Sequence, residues 1–312
     1  MHHFSNHKSR TSVAAPRPRV FILGAGGRLG MALVREWRNT FSSHEIVGLG
    51  RQEIDFEHPE NALQAMKAFE LKEGEVIVNS GALTDVDRCE REPSLATTVN
   101  AVTPTLLAYL ASESGVRFIQ LSTDYVFDGT LERPYRETDR PEPVNHYGVS
   151  KYAGEKGVLA ASEYHVVARV SWVFGPDRPS FIDQIIRRAL NSTEAAAIAD
   201  KISSPTYTYD LSYWLPRFFR TEAAGGIYHL CNSDHCSWRD YGEYALRCAA
   251  RHGMPLLTTS VAPLQLAEMK NFLAKRPVQT ALDTTKFSSL LGLPLRSWKE
   301  AVDEYVRCFI AG

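Results

Sequence analysis

The chain has no apolar run long enough to cross a bilayer; its hydrophobic stretches are strand-sized. It has no charge excess either. A formal net charge of −1 withholds the electrostatic footprint of a protein that binds nucleic acid or an anionic membrane. Cysteine is scarce and odd in number: Cys89, Cys231, Cys236, Cys248 and Cys308 offer no paired framework and predict reduced thiols in the cytoplasm. Cys231 and Cys236 bracket Asp234 and His235, but that spacing fits no common zinc pattern and closes an apolar run. They read as core cysteines, and no metal is expected. No internal repeat or low-complexity stretch is present. Residues 1–19 lack acid and apolar character while holding Lys8, Arg10, Arg17 and Arg19. That composition predicts a disordered basic arm, with a targeting peptide as the rival reading.

What is present is alternation. Short apolar runs at 20–23, 46–49, 76–78, 116–121 and 166–168 are separated by stretches of helical length and spacing at 29–38, 61–69, 95–112 and 147–162. Such a rhythm implies βαβ units and a parallel sheet covered on both faces. After residue 172 it loosens into helices at 181–190, 238–252 and 297–309, a loop at 200–208 and a strand at 226–231. The expected fold is α/β. A Rossmann-type doubly wound parallel sheet occupies 20–172, and a smaller mixed α/β substrate-binding domain occupies 173–312. Part of 200–232 is free to return to the first domain.

The first run leads directly into Gly24-Ala25-Gly26-Gly27-Arg28-Leu29-Gly30. Gly24, Gly27 and Gly30 give Gly-x-x-Gly-x-x-Gly; the alternative Gly-x-Gly-x-x-Gly fails at Leu29. Glycines placed between a strand and a helix allow a sharp turn, close approach to a pyrophosphate and tight helix packing. Gly24, Gly27, Arg28, Leu29 and Gly30 are therefore expected at a dinucleotide. The second run ends Gly48-Leu49-Gly50-Arg51 without the acid that would bond adenosine ribose hydroxyls. Arg51 can instead pair with a 2′-phosphate, so NADPH is the expected cofactor and NADH the alternative. Asp55 lies past the strand end and suits the adenine amino group.

Tyr147-Gly148-Val149-Ser150-Lys151 is Tyr-x-x-x-Lys, which sets both side chains on one helix face. A phenol is a poor acid near neutrality, and an adjacent ammonium is expected to lower its pKa so that it can protonate a carbonyl oxygen. Tyr152 and Lys156 repeat the spacing, but the two pairs point about 140° apart. Tyr147 is favoured because it opens the helix after the Pro141–Pro143 loop. A second polar feature is Leu121-Ser122-Thr123-Asp124-Tyr125-Val126-Phe127-Asp128-Gly129, where a sheet-like run breaks into hydroxyls and a carboxylate. Its polar residues read as the ligand-facing carboxyl end of a parallel strand, and Tyr125, Val126 and Phe127 as the wall of a substrate loop.

Taken together, the glycine turn, Ser-Thr-Asp-Tyr-Val-Phe-Asp-Gly and Tyr-Gly-x-Ser-Lys-x-x-Gly-Glu resemble the extended short-chain dehydrogenase/reductases. Within them the chain resembles the dTDP-4-dehydrorhamnose reductase family. The likeness continues through Arg169-Val-Ser-Trp172-Val-Phe-Gly, Ser204-Pro-Thr-Tyr, Gly226-Ile-Tyr-His-Leu and Arg276-Pro277 to Asp283-Thr284. The resemblance implies a catalytic set of Thr123, Tyr147 and Lys151, with Lys151 also on the nicotinamide ribose. It implies Thr123, Asp124 and Trp172 at the sugar and Arg276 at the diphosphate. After the third strand it places Asn79, Gly81, Ala82 and Thr84 along the cofactor. The implied reaction is NAD(P)H-dependent reduction of the C4 ketone of a nucleotide-linked 4-keto-6-deoxysugar. A different nucleotide sugar is one alternative. A regulatory subunit resembling the β subunit of methionine adenosyltransferase is another. The sequence departs from the family pattern at Leu83, Ser180, Lys201 and Ser203, where the family carries an aromatic, Asn, Gln and, at or near Ser203, Gly. Ala32 replaces a glutamate of members that dimerise through a metal; a homodimer is compatible with the reading, that metal is not.

Overall fold

Residues 17–220 and 224–312 are described by the computed structural model. The arm expected over 1–19 lies outside them except at its end, where Arg19 already belongs to the first strand. The first five strands are β1 (Arg19–Leu23), β2 (Glu45–Leu49), β3 (Val76–Asn79), β4 (Arg117–Thr123) and β5 (Val166–Val170). Alternate residues along them point to opposite faces, and both faces are apolar. Val20, Ile22, Val76, Val78, Ile119 and Leu121 pack on one side with Leu33 and Trp37 of α1 (Arg28–Thr40) and with Leu211–Phe218. Phe21, Leu23, Ile77, Phe118 and Val167 pack on the other with Ala62, Met66, Leu107 and Ala111. Period-2 side-chain placement with two covered faces explains why these strands read as continuous apolar runs.

All pairings in the main sheet are parallel, and the spatial order is the strand Gly226–His229, β5, β4, β3, β1, β2. The chain leaves β1 for β2 and returns to β3 on β1's other side. Strand order therefore reverses between β1 and β3, where doubly wound sheets leave a crevice at the carboxyl ends of the strands. The strand Gly226–His229 comes from the later half of the chain, so that half contributes an edge to the main sheet.

The helix expected over 95–112 is broken into Pro93–Thr97, a π turn at Thr98–Val102 and Thr103–Glu113. Pro104 cannot donate to a regular ladder, and the wider turn accommodates it. The helix His146–Ala161 starts where Asn145 Oδ1 accepts from Gly148 N at 2.9 Å. Beyond residue 172 a second core joins the helices Phe181–Asn191, Trp238–Arg251 and Trp298–Tyr305 through Ile182, Ile185, Tyr241, Leu246, Trp298 and Val302. Three two-residue or three-residue strand pairs, unmarked in the sequence, lace this half together. Among the described residues no helix is long and apolar enough to cross a membrane.

Candidate active site

The crevice is shaped first by backbone approach. Gly24 has φ +75°, and a Cβ there would fall 2.5 Å from Gly81 N. The turns after β1 and β3 thus touch, and Ser80 seals them by donating its N–H and hydroxyl to Leu23 O at 3.0 and 2.8 Å. A Cβ on Gly30 would lie 2.2 Å from Gly24 O, so this glycine seats α1 on the turn. Asn79 is fully buried; its amide donates to Gln120 Oε1 and accepts from Gly81 N, both at 2.9 Å. Gly30 and Asn79, expected along the cofactor, do not line the cavity and instead hold its walls in place.

The cavity above them measures about 650 Å³, a size ordinary for a small-molecule or cofactor site. Gly24, Gly27, Arg28, Leu29, Arg51, Asp55, Gly81, Ala82, Thr84, Tyr147 and Lys151 all line it. Arg28 and Arg178 cross between the glycine turn and the segment 173–179. Arg28 donates to Val173 O (2.9 Å), Arg178 O (3.1 Å) and Pro179 O (2.5 Å), while Arg178 donates to Gly26 O at 2.9 and 2.5 Å. Burial lowers the Arg28 pKa, partly opposed by the charge of Asp183. Asp55 accepts from Glu57 N at 3.0 Å and pairs with His58 Nδ1 at 2.9 Å; the Glu57 N–H, then His58, hold its carboxyl below the usual range. Ser122, from the polar end of β4, also lines this wall, as do Phe56 and Arg178, which no sequence pattern marked; Arg178 carries no local signal because its contact is 152 residues away. A dinucleotide suits what is there. A Cβ on Gly26 would meet nothing within 4 Å, and the buried Ser122 hydroxyl in the wall has no hydrogen-bond partner.

Tyr147 lies at the floor, while Thr123, expected in the catalytic set, sits behind it and does not line the cavity. The Thr123 hydroxyl is close enough to influence the Tyr147 phenol electrostatically, and Tyr125 packs edge-on to the Tyr147 ring at 5.6 Å. Burial raises the phenol's pKa, and the Thr123 hydroxyl opposes the rise. The downward shift expected from Lys151 is therefore not found. The physical reason is position: Lys151 Nζ donates to Leu121 O at 2.7 Å, and desolvation lowers its own pKa to about 8. Tyr152 faces away, packed near Val126, Phe127 and Tyr135, with Lys156 Nζ 4.9 Å over its ring.

The residues assigned to a sugar lie apart from this cavity. Asp124 is buried and fully engaged by the hydroxyls of Thr123, Ser203 and Thr280. Trp172 has φ +40° and packs against Trp238 (5.5 Å) and Tyr241 (5.9 Å), its indole N–H buried without a partner. A bulky residue at positive φ is a local strain of the kind that clusters at functional sites. Arg276 pairs with Asp87 at 3.0 Å, donates to Ala274 O and covers the Phe272 ring. Val126 and Phe127, expected as a loop wall, are fully buried in a small cluster with Tyr135, Cys231 and Leu282. Cys236 belongs to a different cluster from Cys231. Lys201, one of the departures, is enclosed, donating to Pro277 O at 2.7 Å and lying 4.9 Å over the Tyr125 ring.

Comparison with known proteins follows the same outline. The sequence profile of the family described as RmlD substrate binding domain matches residues 18–310. A dTDP-4-dehydrorhamnose reductase of Escherichia coli (strain K12) is 32% identical over 292 residues, covering 91% of this chain and 95% of the relative. The spore coat polysaccharide biosynthesis protein SpsK of Bacillus subtilis (strain 168) is 30% identical over 289 residues, covering 93% and 97%. Among solved structures, the dTDP-4-dehydrorhamnose reductase of Bacillus anthracis strain Ames in complex with NADP superposes with a TM-score of 0.82 at 29% identity, covering 93% of this chain and 98% of that one.

Proposed function

The chain belongs to the RmlD substrate binding domain family, and on that premise we propose that it reduces the C4 ketone of a nucleotide-linked 4-keto-6-deoxysugar with NADPH. The substrate is dTDP-4-dehydro-L-rhamnose and the product dTDP-L-rhamnose. One observation carries the reading: Tyr147 and Lys151 open onto the same cavity as the glycine turn and the 80–84 loop. The name of the Escherichia coli relative and the NADP complex of the Bacillus anthracis structure support the reaction and the cofactor. They favour it over the regulatory-subunit reading. A cytoplasmic location goes with this function and agrees with five free thiols.

When bound, the dihydronicotinamide supplies a hydride to the carbonyl carbon. Tyr147 then gives its phenolic proton to the carbonyl oxygen. An alkoxide is far more basic than a phenolate, so this transfer runs downhill even from a phenol whose pKa burial has raised. Thr123 steadies the phenolate left behind, and Lys151, close to neutrality in its pKa, bonds the ribose hydroxyls and keeps positive charge at the cavity floor.

The test is NADPH and NADH oxidation with dTDP-4-dehydro-L-rhamnose beside GDP- and UDP-linked 4-keto sugars. Turnover is expected with the dTDP sugar and NADPH. Tyr147→Phe is expected to lower kcat by about 10²–10⁴-fold while NADPH binding, followed by fluorescence, is retained. If Tyr152→Phe is the dead variant and Tyr147→Phe turns over normally, the acid has been misassigned.

A further inference from the structure

Behind Thr123 lies a buried network that the mechanism above does not use. Asp124 is 2% exposed, and a buried carboxylate needs donors or a cation. Lys201 is in electrostatic reach, but its ammonium donates to Pro277 O and faces the Tyr125 ring. Hydroxyls supply the donors instead, one from the neighbouring Thr123 and two from distant segments. Thr280 Oγ1 donates to Oδ2 at 2.6 Å, Ser203 Oγ to Oδ2 at 2.8 Å and Thr123 Oγ1 to Oδ1 at 3.1 Å. Each hydroxyl has one proton. Since Ser203 spends its proton on Asp124, the 2.5 Å contact between Ser171 and Ser203 has Ser171 as donor. Thr280's other contacts, 3.1 Å to Ser203 Oγ and 3.4 Å to Ile202 O, are longer than its bond to the carboxylate.

Among the three donors Thr123 alone lies within electrostatic reach of Tyr147, and its bond to Asp124 is the longest of the three. We infer that Ser203 and Thr280 are positioning residues which, through Asp124, leave the Thr123 hydroxyl free to turn its proton towards Tyr147 when the phenolate forms. The inference rests on the reductase reading. While Tyr147 is a phenol, Thr123 points its proton at Asp124 and accepts from Tyr125 N at 3.2 Å. Once Tyr147 has given its proton to the ketone oxygen, the phenolate needs a donor. Thr123 rotates to it, and the two shorter bonds from Ser203 and Thr280 keep Asp124 satisfied as a carboxylate. Loss of either hydroxyl makes Asp124 compete for the Thr123 proton at the moment the transition state needs it. The interaction is made after substrate is bound, so the effect belongs in kcat. In this arrangement Asp124 acts on the reaction through Thr123 and not by touching the sugar.

The experiment measures kcat and KM for wild type, Ser203→Ala, Thr280→Val and Thr280→Ser, with NADPH affinity and melting temperature as checks on folding. Hydrogen bonds to charged groups suggest about a tenfold fall in kcat for Ser203→Ala and for Thr280→Val, with KM within about twofold of wild type. Thr280→Ser, which keeps the hydroxyl and loses only a methyl, is expected to restore kcat. Unchanged kcat in Ser203→Ala overturns the inference. So does a raised KM at constant kcat, which would return Asp124 to the sugar. So does a Thr280→Ser as slow as Thr280→Val, which would make the effect one of packing. A wild type that turns over none of the 4-keto sugars defeats the reductase reading and this inference together; an active wild type with unaffected variants defeats the inference alone.

Discussion

We propose that cofactor choice rests on Arg51. Arg51 is exposed at the cavity rim just past β2, where the ribose of a dinucleotide comes to lie in a fold of this topology. A guanidinium there offers paired donors to a 2′-phosphate and nothing comparable to a plain ribose hydroxyl. Charge-assisted bonds are worth about 1.5–3 kcal/mol, so Arg51→Ala is expected to weaken NADPH binding by roughly 10–100-fold while NADH affinity moves little. Fluorescence titration with both nucleotides decides the matter. Equal affinity changes for the two, or none for either, would remove Arg51 from the phosphate. Asp55 is already held by Glu57 N and His58, one bond to each carboxylate oxygen.

At the scale of elements, the helix His146–Ala161 carries both Tyr147 and Lys151, and what fixes its depth on the sheet is a buried ion pair. Arg169 of β5 forks onto Glu155 at 2.8 and 2.6 Å with both side chains essentially unexposed, and the guanidinium also lies 5.0 Å over Phe127. Removing one member of such a pair strands a buried charge. Glu155→Gln is therefore expected to lower the unfolding free energy by about 3–5 kcal/mol, measured by urea denaturation; a loss below about 1 kcal/mol would mean that the pair is solvated. Both partners sit in stretches that the sequence reading quoted, yet their pairing was not legible there, since nothing local says that residue 155 faces residue 169. The same holds more widely. The glycine turn and Tyr147–Lys151 could be read because their meaning lies in spacing along a few residues. The polar break at Ser122–Asp124 could be read because it interrupts an apolar period. Asn79 to Gln120, Asn100 to Leu83 and Ser203 to Asp124 could not, because each joins segments 41, 17 and 79 residues apart. Nor does any composition announce that Trp172 adopts a positive φ. The break inside the helix expected over 95–112 was not legible, although Pro104 removes a backbone donor there.

For the molecule as a whole, buried bases set the pH range of stability. His229 ends the edge strand Gly226–His229, is fully buried and shares its surroundings with Arg169 and Asp283 O. Desolvation, then the Arg169 charge, lower its pKa from 6.5 to about 3. The unfolded chain therefore binds a proton that the native protein refuses between those two values. Stability is greatest above pH 6.5 and falls as pH drops through that window, by about 1.4 kcal/mol per unit for this one group. On the alkaline side, burial lowers Lys151 and Lys201 from 10.5 to about 8. Between those values the unfolded chain holds more protons on these two lysines, which taken alone raises stability with pH. From about pH 9 the sign reverses, because burial raises the thiols of Cys89, Cys231, Cys236 and Cys248 and, from pH 10, the phenols of Tyr125, Tyr147 and Tyr207, so the native protein keeps protons that the unfolded chain loses. The melting temperature is accordingly expected to climb from pH 4.5 through 6.5 and to turn down above about pH 9. His229→Gln keeps a side-chain donor for Asp283 O and removes the titrating group, so its acid slope between pH 6.5 and 4.5 should flatten relative to wild type. An equally steep acid fall in that variant would place the loss on other groups and reverse the role given to His229.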